Sequence, residues 1–124
     1  SKYIMANKRE FKKYVDALGA SACEEMMYAY HTVEQADKDA ISKAIEKVLL
    51  ATNKARMNAN IFFDRGAKAF ADRKEYAKAK ENFFKALFEK ISNEFNDEVN
   101  AALKDFNAAL PAEERERNKA AVAE

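Results

Sequence analysis

Glycine and proline are almost missing from this chain, which has two Gly, one Pro and no Trp among its 124 residues. The turns that connect the strands of a β-sheet use such residues in numbers, so the chain has too little turn chemistry for a sheet. Ala, Lys, Glu and Phe are plentiful instead. The composition therefore predicts an all-α protein, and the length allows one domain with a single core.

Cysteine and histidine occur once each, as Cys23 and His31. A single cysteine excludes an internal disulfide and a zinc site built from thiolates. Carboxylate-bridged metal sites in helical bundles use Glu-x-x-His, but the residue three positions before His31 is Tyr28. Two isolated glycines cannot form a phosphate-binding or dinucleotide-binding loop. We therefore expect no enzymatic activity, no metal and no cofactor.

Hydrophobicity and net charge point to neither a membrane nor nucleic acid as a partner of this chain. No apolar run approaches the roughly 18 residues of a membrane span, and the N-terminal residues lack the apolar block of a signal peptide. The 22 basic and 21 acidic residues leave a formal net charge of +1, which generates no field that would hold nucleic acid. We expect a cytoplasmic protein without a membrane partner, and we do not expect nucleic acid to be the main partner.

The charge is nevertheless unevenly distributed. Residues 54–80 contain eight basic and only three acidic residues, whereas the chain beyond residue 80 is acidic. Solvated helix faces explain such a run, but it is also a candidate basic docking surface. The residues of this candidate basic patch are Lys54, Arg56, Arg65, Lys68, Arg73 and Lys74.

Apolar residues recur every three or four positions along three stretches, which predicts three long amphipathic helices. The expected ranges are 7–34, 38–71 and 74–110, with Asn7 and Asp37 as N-caps and Pro111 after the last helix. Packed side by side, they form an elongated antiparallel bundle over residues 1–111. Breaks at Gly19 or near Asn53 would give four or five shorter helices. The apolar pattern favours a helix that continues through Gly19, where small residues would mark a close approach to a neighbour. Residues 112–124 are expected to form a charged C-terminal tail or a short helix.

One segment has the residue spacing of a known helical repeat. The positions concerned are Phe63, Ala67, Phe70, Tyr76, Ala79, Phe83 and Ala86. Residues 60–91 thereby resemble one tetratricopeptide repeat, and 75–87 are similar to its second helix. The segment departs from the family at Gly66, where Leu is usual, and at Ile91, where Pro is usual. The resemblance implies a helical hairpin, but a lone repeat cannot form the peptide-binding groove of a repeat array.

Some segments contain more apolar residues than the buried face of one helix can hold, which suggests a protein partner. Neighbours on a helix point about 100° apart, so one member of Phe62–Phe63 and one of Phe83–Phe84 is expected outside a three-helix core. A second cluster, of Met and Tyr, lies between residues 26 and 30. The candidate interface residues are Phe63, Phe84, Phe88, Met27 and Tyr28.

These observations predict a non-enzymatic protein–protein interaction or assembly module. We expect it to associate with itself through apolar helix faces, in the simplest case as a dimer. The alternative is a protein that associates with nucleic acid through the basic stretch Lys54–Lys80, and strong salt dependence of binding would distinguish it.

Overall fold

The computed structural model describes residues 7–123, and the side chains of residues 7–117. Over this range the protein is all-α, as predicted, and contains no β-strand. Three long helices make up most of it: α1 (Lys8–Thr32), α2 (Lys38–Asn58) and α3 (Arg73–Ala108). A short helix, α4 (Ala112–Ala123), follows in the stretch predicted as a charged tail or a short helix.

Each long helix begins at a side chain that accepts hydrogen bonds from the free amides of its first turn. The side-chain oxygen of Asn7 accepts from the amides of the second and third helical residues, at 2.8 and 3.3 Å. Asp37 and Asp72 cap α2 and α3 in the same way. At α3 the Glu75 carboxylate also accepts from the Ala71 amide at 3.2 Å, so both sides of the cap are bonded. The N-caps predicted at Asn7 and Asp37 are confirmed.

α1 continues through Gly19, and this residue lies at a close approach of α1 to α2. A Cβ atom at Gly19 would fall well inside van der Waals contact with Thr52 Oγ1 on α2. The predicted close approach to a neighbouring helix is therefore confirmed, and α1 does not break. We call this contact of Gly19 with Thr52 the seam.

The core is filled by one face of each long helix. The Phe11 and Phe88 rings stack with their centroids 5.1 Å apart, and the Tyr14 hydroxyl donates to Asn96 at 2.8 Å where α1 meets α3. No polar or charged residue is buried among the described residues. The largest fully buried side chains are Phe11, Phe88, Phe95, Met26, Ile41, Val15 and Val48.

The prediction that the second helix extends to residue 71 is wrong. α2 ends at Asn58, and residues 60–72, here called the strap, contain only one turn of 3₁₀ helix at Ala67–Ala69. Asn58, Asn60 and Gly66 are weak helix formers. No residue of the strap is buried, so packing does not compensate for the weak propensity. Of the residues that resemble a tetratricopeptide repeat, 75–87 lie within α3, and the strap occupies most of the stretch before them.

α3 is longer than α2, with 36 residues against 21, or about 54 Å against about 32 Å. Its residues before Phe88 are not buried, and the strap packs against them through aromatic rings. The Phe63 ring lies 6.2, 6.0 and 5.3 Å from the rings of Phe70, Tyr76 and Phe83. At the opposite end of the bundle, the Asp37 amide donates to the Ala109 carbonyl at 2.8 Å and ties the α1–α2 turn to the end of α3.

Candidate protein-interaction surface

Ion pairs mark both edges of α2 and leave one of its faces to solvent. Lysine and arginine side chains of α2 reach acidic residues on α1 on one side and on α3 on the other. The pairs are Arg56–Asp16 toward α1, and Lys47–Asp105 and Lys54–Glu98 toward α3. The surface between these pairs is the outer face of the helix.

Large apolar side chains occupy the C-terminal half of this outer face. Leu49, Leu50 and Met57 are 58%, 61% and 65% exposed. Leu49, Asn53 and Met57 follow one another at steps of four residues, so they form one row along the helix, and Leu50 lies one turn before Asn53. The Asn53 side-chain nitrogen is 3.8 Å from the Met57 sulfur. The four side chains therefore form one continuous surface.

Two more exposed apolar side chains lie in the chain that follows α2. Ile61 is 46% exposed and Phe62 is 80% exposed, and the Lys8 ammonium lies 5.5 Å from the centre of the Phe62 ring. Of the seven large apolar side chains that are exposed in the described residues, five lie between residues 49 and 62. We call these five the α2 patch: Leu49, Leu50, Met57, Ile61 and Phe62.

The exposed part of the α2 patch measures roughly 600 Å², taking about 200 Å² for a fully exposed large side chain. A patch of about 300–600 Å² is the largest that a typical monomer carries, and such patches are often functional. None of its five side chains is charged. The surface can therefore bury apolar area against a partner but offers no catalytic group.

Sequence reasoning missed Leu49, Leu50, Met57 and Ile61 as a site, and of the pair Phe62–Phe63 it selected Phe63 rather than the more exposed Phe62. The signal was nevertheless present, because Leu49 and Leu50 follow the buried Val48 and therefore point away from the buried stripe of α2. The offset of about 100° between neighbours, considered above for adjacent phenylalanines, applies equally to these leucines. Met57 lies seven residues after Leu50, which places both on one side of the helix.

The five candidate interface residues predicted from the sequence do not form one surface. Met27 and Tyr28 are 50% and 72% exposed on α1, where adjacent residues point in different directions. Phe63 and Phe84 are half-buried and belong to the aromatic packing between the strap and α3. Phe88 is 1% exposed, so its place at an exposed interface is wrong. It belongs to the core, where its ring stacks on that of Phe11 from α1.

The six residues of the candidate basic patch also lie apart. Lys54 and Arg56 sit on α2 and form ion pairs with Glu98 and Asp16. Glu98 accepts a hydrogen bond from Lys54 at 3.0 Å, and this bond together with the carboxylate charge raises the pKa of Lys54 above its ordinary value.

The other four basic residues lie on the strap and at the start of α3. Arg65 is placed over the Phe70 ring at 4.7 Å, and Lys68, Arg73 and Lys74 are exposed. Arg73 is 25 residues before Glu98 on the same helix, or about 38 Å away at about 1.5 Å per residue. The stretch Lys54–Lys80 is therefore not one basic surface.

Groups that could support other chemistry are scattered. Cys23 is half-buried, and burial raises the pKa of its thiol, while His31 is exposed in the last turn of α1. In the described part of the chain, no three His, Cys, Asp or Glu side chains come together in a way that could hold a metal ion. Within residues 7–123, no helix combines the length and apolar character needed to cross a membrane. No protein-family model, curated protein or solved structure matches this chain.

Proposed function

We propose that this protein is a non-enzymatic assembly module that associates with a second copy of itself through the α2 patch. The observation that carries the proposal is the concentration of five exposed, uncharged side chains on one face of one helix and the residues that follow it. Burying such a surface is favourable because apolar area leaves water. A cytoplasmic location belongs to the same proposal, and it is supported by a chain whose one cysteine has no partner for an internal disulfide.

The area of the α2 patch is sufficient for a dimer, at the lower limit. Two copies would bury about 1,200 Å² together, and specific protein interfaces begin at about this size. An interface of this size is expected to be weak, with a dissociation constant on the order of micromolar rather than nanomolar.

The charges around the α2 patch favour a second copy over a charged partner. The three cations at the edges of α2 are neutralised by acidic residues of the same chain. Two identical edges therefore do not repel each other, and they carry little net charge that a strongly acidic or basic protein could recognise.

Light scattering on a size-exclusion column tests the proposal. We expect the mass to rise from monomer to dimer between low and high micromolar concentration, with little change between low and high salt, because apolar burial is not screened. Leu50→Glu should keep the protein monomeric, since it places a charge in the α2 patch. Tyr28→Glu is the matched control, because Tyr28 is similarly exposed but lies on α1, and it should leave the dimer intact.

Two results would contradict the proposal. A wild-type protein that remains monomeric at every concentration would refute self-association. A dimer that survives Leu50→Glu but is lost with Tyr28→Glu would move the interface to α1.

A further inference from the structure

We infer that the two copies pair through α2 in antiparallel orientation, with the two-fold axis beside Asn53. The inference rests on the proposed self-association and adds its geometry. A closed homodimer uses the same surface on both copies, so a residue at the axis meets its own copy. Residues on either side of it meet the residues at the opposite displacement.

The positions of the apolar side chains select this axis. Leu49 and Leu50 lie four and three residues before Asn53, and Met57 lies four residues after it. An antiparallel pair centred at Asn53 therefore brings Leu49 of each copy level with Met57 of the other, and Leu50 within one residue of it. Apolar side chains then meet apolar side chains on both sides of the axis.

Other axes on this face pair the residues less well. An axis at Leu50 would bring Lys43 level with Met57 of the second copy. That arrangement places an ammonium group against an apolar side chain, which is unfavourable without a well-placed partner. An axis at Met57 would require α2 to continue well beyond Asn58, where it ends.

Asn53 is suited to the position on the axis. Its amide carries both a donor and acceptors, so two copies can hydrogen-bond to each other, whereas two copies of a charged side chain would repel. Its side-chain contact within the chain, the Met57 sulfur at 3.8 Å, is a weak acceptor that an amide oxygen could replace. One buried Asn in an interface between helices is known to fix register at some loss of stability.

Cysteine cross-linking tests the arrangement directly. Helices packed about 8–10 Å apart bring facing Cα atoms to about 3.5–5.5 Å, a range that overlaps the Cα separations of disulfides. On a Cys23→Ser background, Asn53→Cys should form a disulfide-linked dimer when a mild oxidant is added at concentrations where light scattering shows dimers. Glu46→Cys is the control, because seven residues on each side of the axis separate its two copies by about 21 Å, and it should not cross-link.

A second pair of variants avoids altering Asn53. Leu50→Cys and Met57→Cys, each on the Cys23→Ser background, should cross-link to one another when mixed and much more slowly with themselves. This test decides the register even if Asn53→Cys weakens the dimer.

The outcomes separate the register from the proposed function. A dimer by light scattering in which Glu46→Cys cross-links as fast as Asn53→Cys, or in which the mixed pair does not cross-link, overturns the antiparallel register and leaves self-association standing. A protein that is monomeric at every concentration overturns the proposed function and the register together.

Discussion

Replacing Gly19 with Ala should lower the free energy of unfolding, because the added methyl group would meet one atom of the neighbouring helix, Thr52 Oγ1. The added Cβ would collide with Thr52 Oγ1, while its next contact, Thr52 Cβ, would be an ordinary one at 3.5 Å. The Thr52 Oγ1 atom cannot easily rotate away from the added Cβ. It donates to the Val48 carbonyl at 2.8 Å, and β-branched side chains are stiff about χ1.

Two opposing effects determine the size of the change. Alanine is favoured over glycine inside a helix by about 1 kcal/mol. Forcing an extra methyl group into a packed interface costs typically about 1–3 kcal/mol. We therefore expect Gly19→Ala to lower the free energy of unfolding by about 1 kcal/mol. On a Thr52→Ala background the collision disappears, and the same substitution should raise the free energy of unfolding by about 1 kcal/mol.

Urea unfolding followed by circular dichroism measures all four members of this double-mutant cycle. The effect that Thr52→Ala has by itself, including loss of its hydrogen bond to Val48, cancels in the cycle. Ala20→Gly provides the calibration, because Ala20 is an exposed neighbour on α1 and its replacement should cost about 1 kcal/mol from helix propensity alone. If Gly19→Ala has the same effect in the wild-type protein as on the Thr52→Ala background, the contact at the seam is not what requires glycine.

Three further substitutions or reactions follow from the packing and burial of particular side chains. Phe88→Ala should reduce the free energy of unfolding by about 3–5 kcal/mol because it leaves a cavity in the core, whereas Tyr28→Ala should change it by less than about 0.5 kcal/mol. Urea titrations of the two variants compare these free energies, and similar losses would contradict the burial of Phe88. Phe63→Ala removes the ring that holds the strap against α3, so trypsin should cut within the strap faster, and an unchanged cutting rate would contradict this packing. Cys23 should react with Ellman's reagent at pH 8 more slowly in the native protein than in urea, because burial raises the pKa of its thiol and leaves less thiolate; equal rates would contradict the burial.

The helices themselves could be predicted because local signals agreed with packing. Asn7 and Asp37 are good capping residues followed by long apolar stripes, and the helices begin there. At the strap, the apolar spacing favoured a helix whereas the helix propensity of the residues did not. Phe63 and Phe70 are seven residues apart, which suits two turns of helix, yet in the non-helical strap they also lie close to each other and to Tyr76. The pattern alone could not distinguish these conformations, and the weak propensity of Asn60 and Gly66 decided the result.

The candidate surface was harder to predict than the fold. An exposed apolar side chain is recognisable only after the buried face of its helix is known, and α2 carries apolar residues on both faces. The small residues Ala44, Ala51 and Ala55 take much of the buried face, and the larger Leu49 and Leu50 remain outside. Size and hydrophobicity, which normally indicate the core, pointed in the wrong direction here. Phe88 shows the converse, because it was assigned to the surface as one of the apolar residues in excess of one helix stripe, yet it is buried against Phe11.

The seam between α1 and α2 also bears on the order in which the chain assembles. Five residues, 33–37, connect these two helices, whereas fourteen residues, 59–72, separate α2 from α3. Closing the shorter loop loses less entropy, and contacts between residues near in sequence form sooner. The α1–α2 pair is thus the part of the chain that can form first and offer α3 a ready groove. A bulkier residue at Gly19 would then slow folding as well as weaken the folded protein, because it would obstruct the packing of the helix pair that forms first.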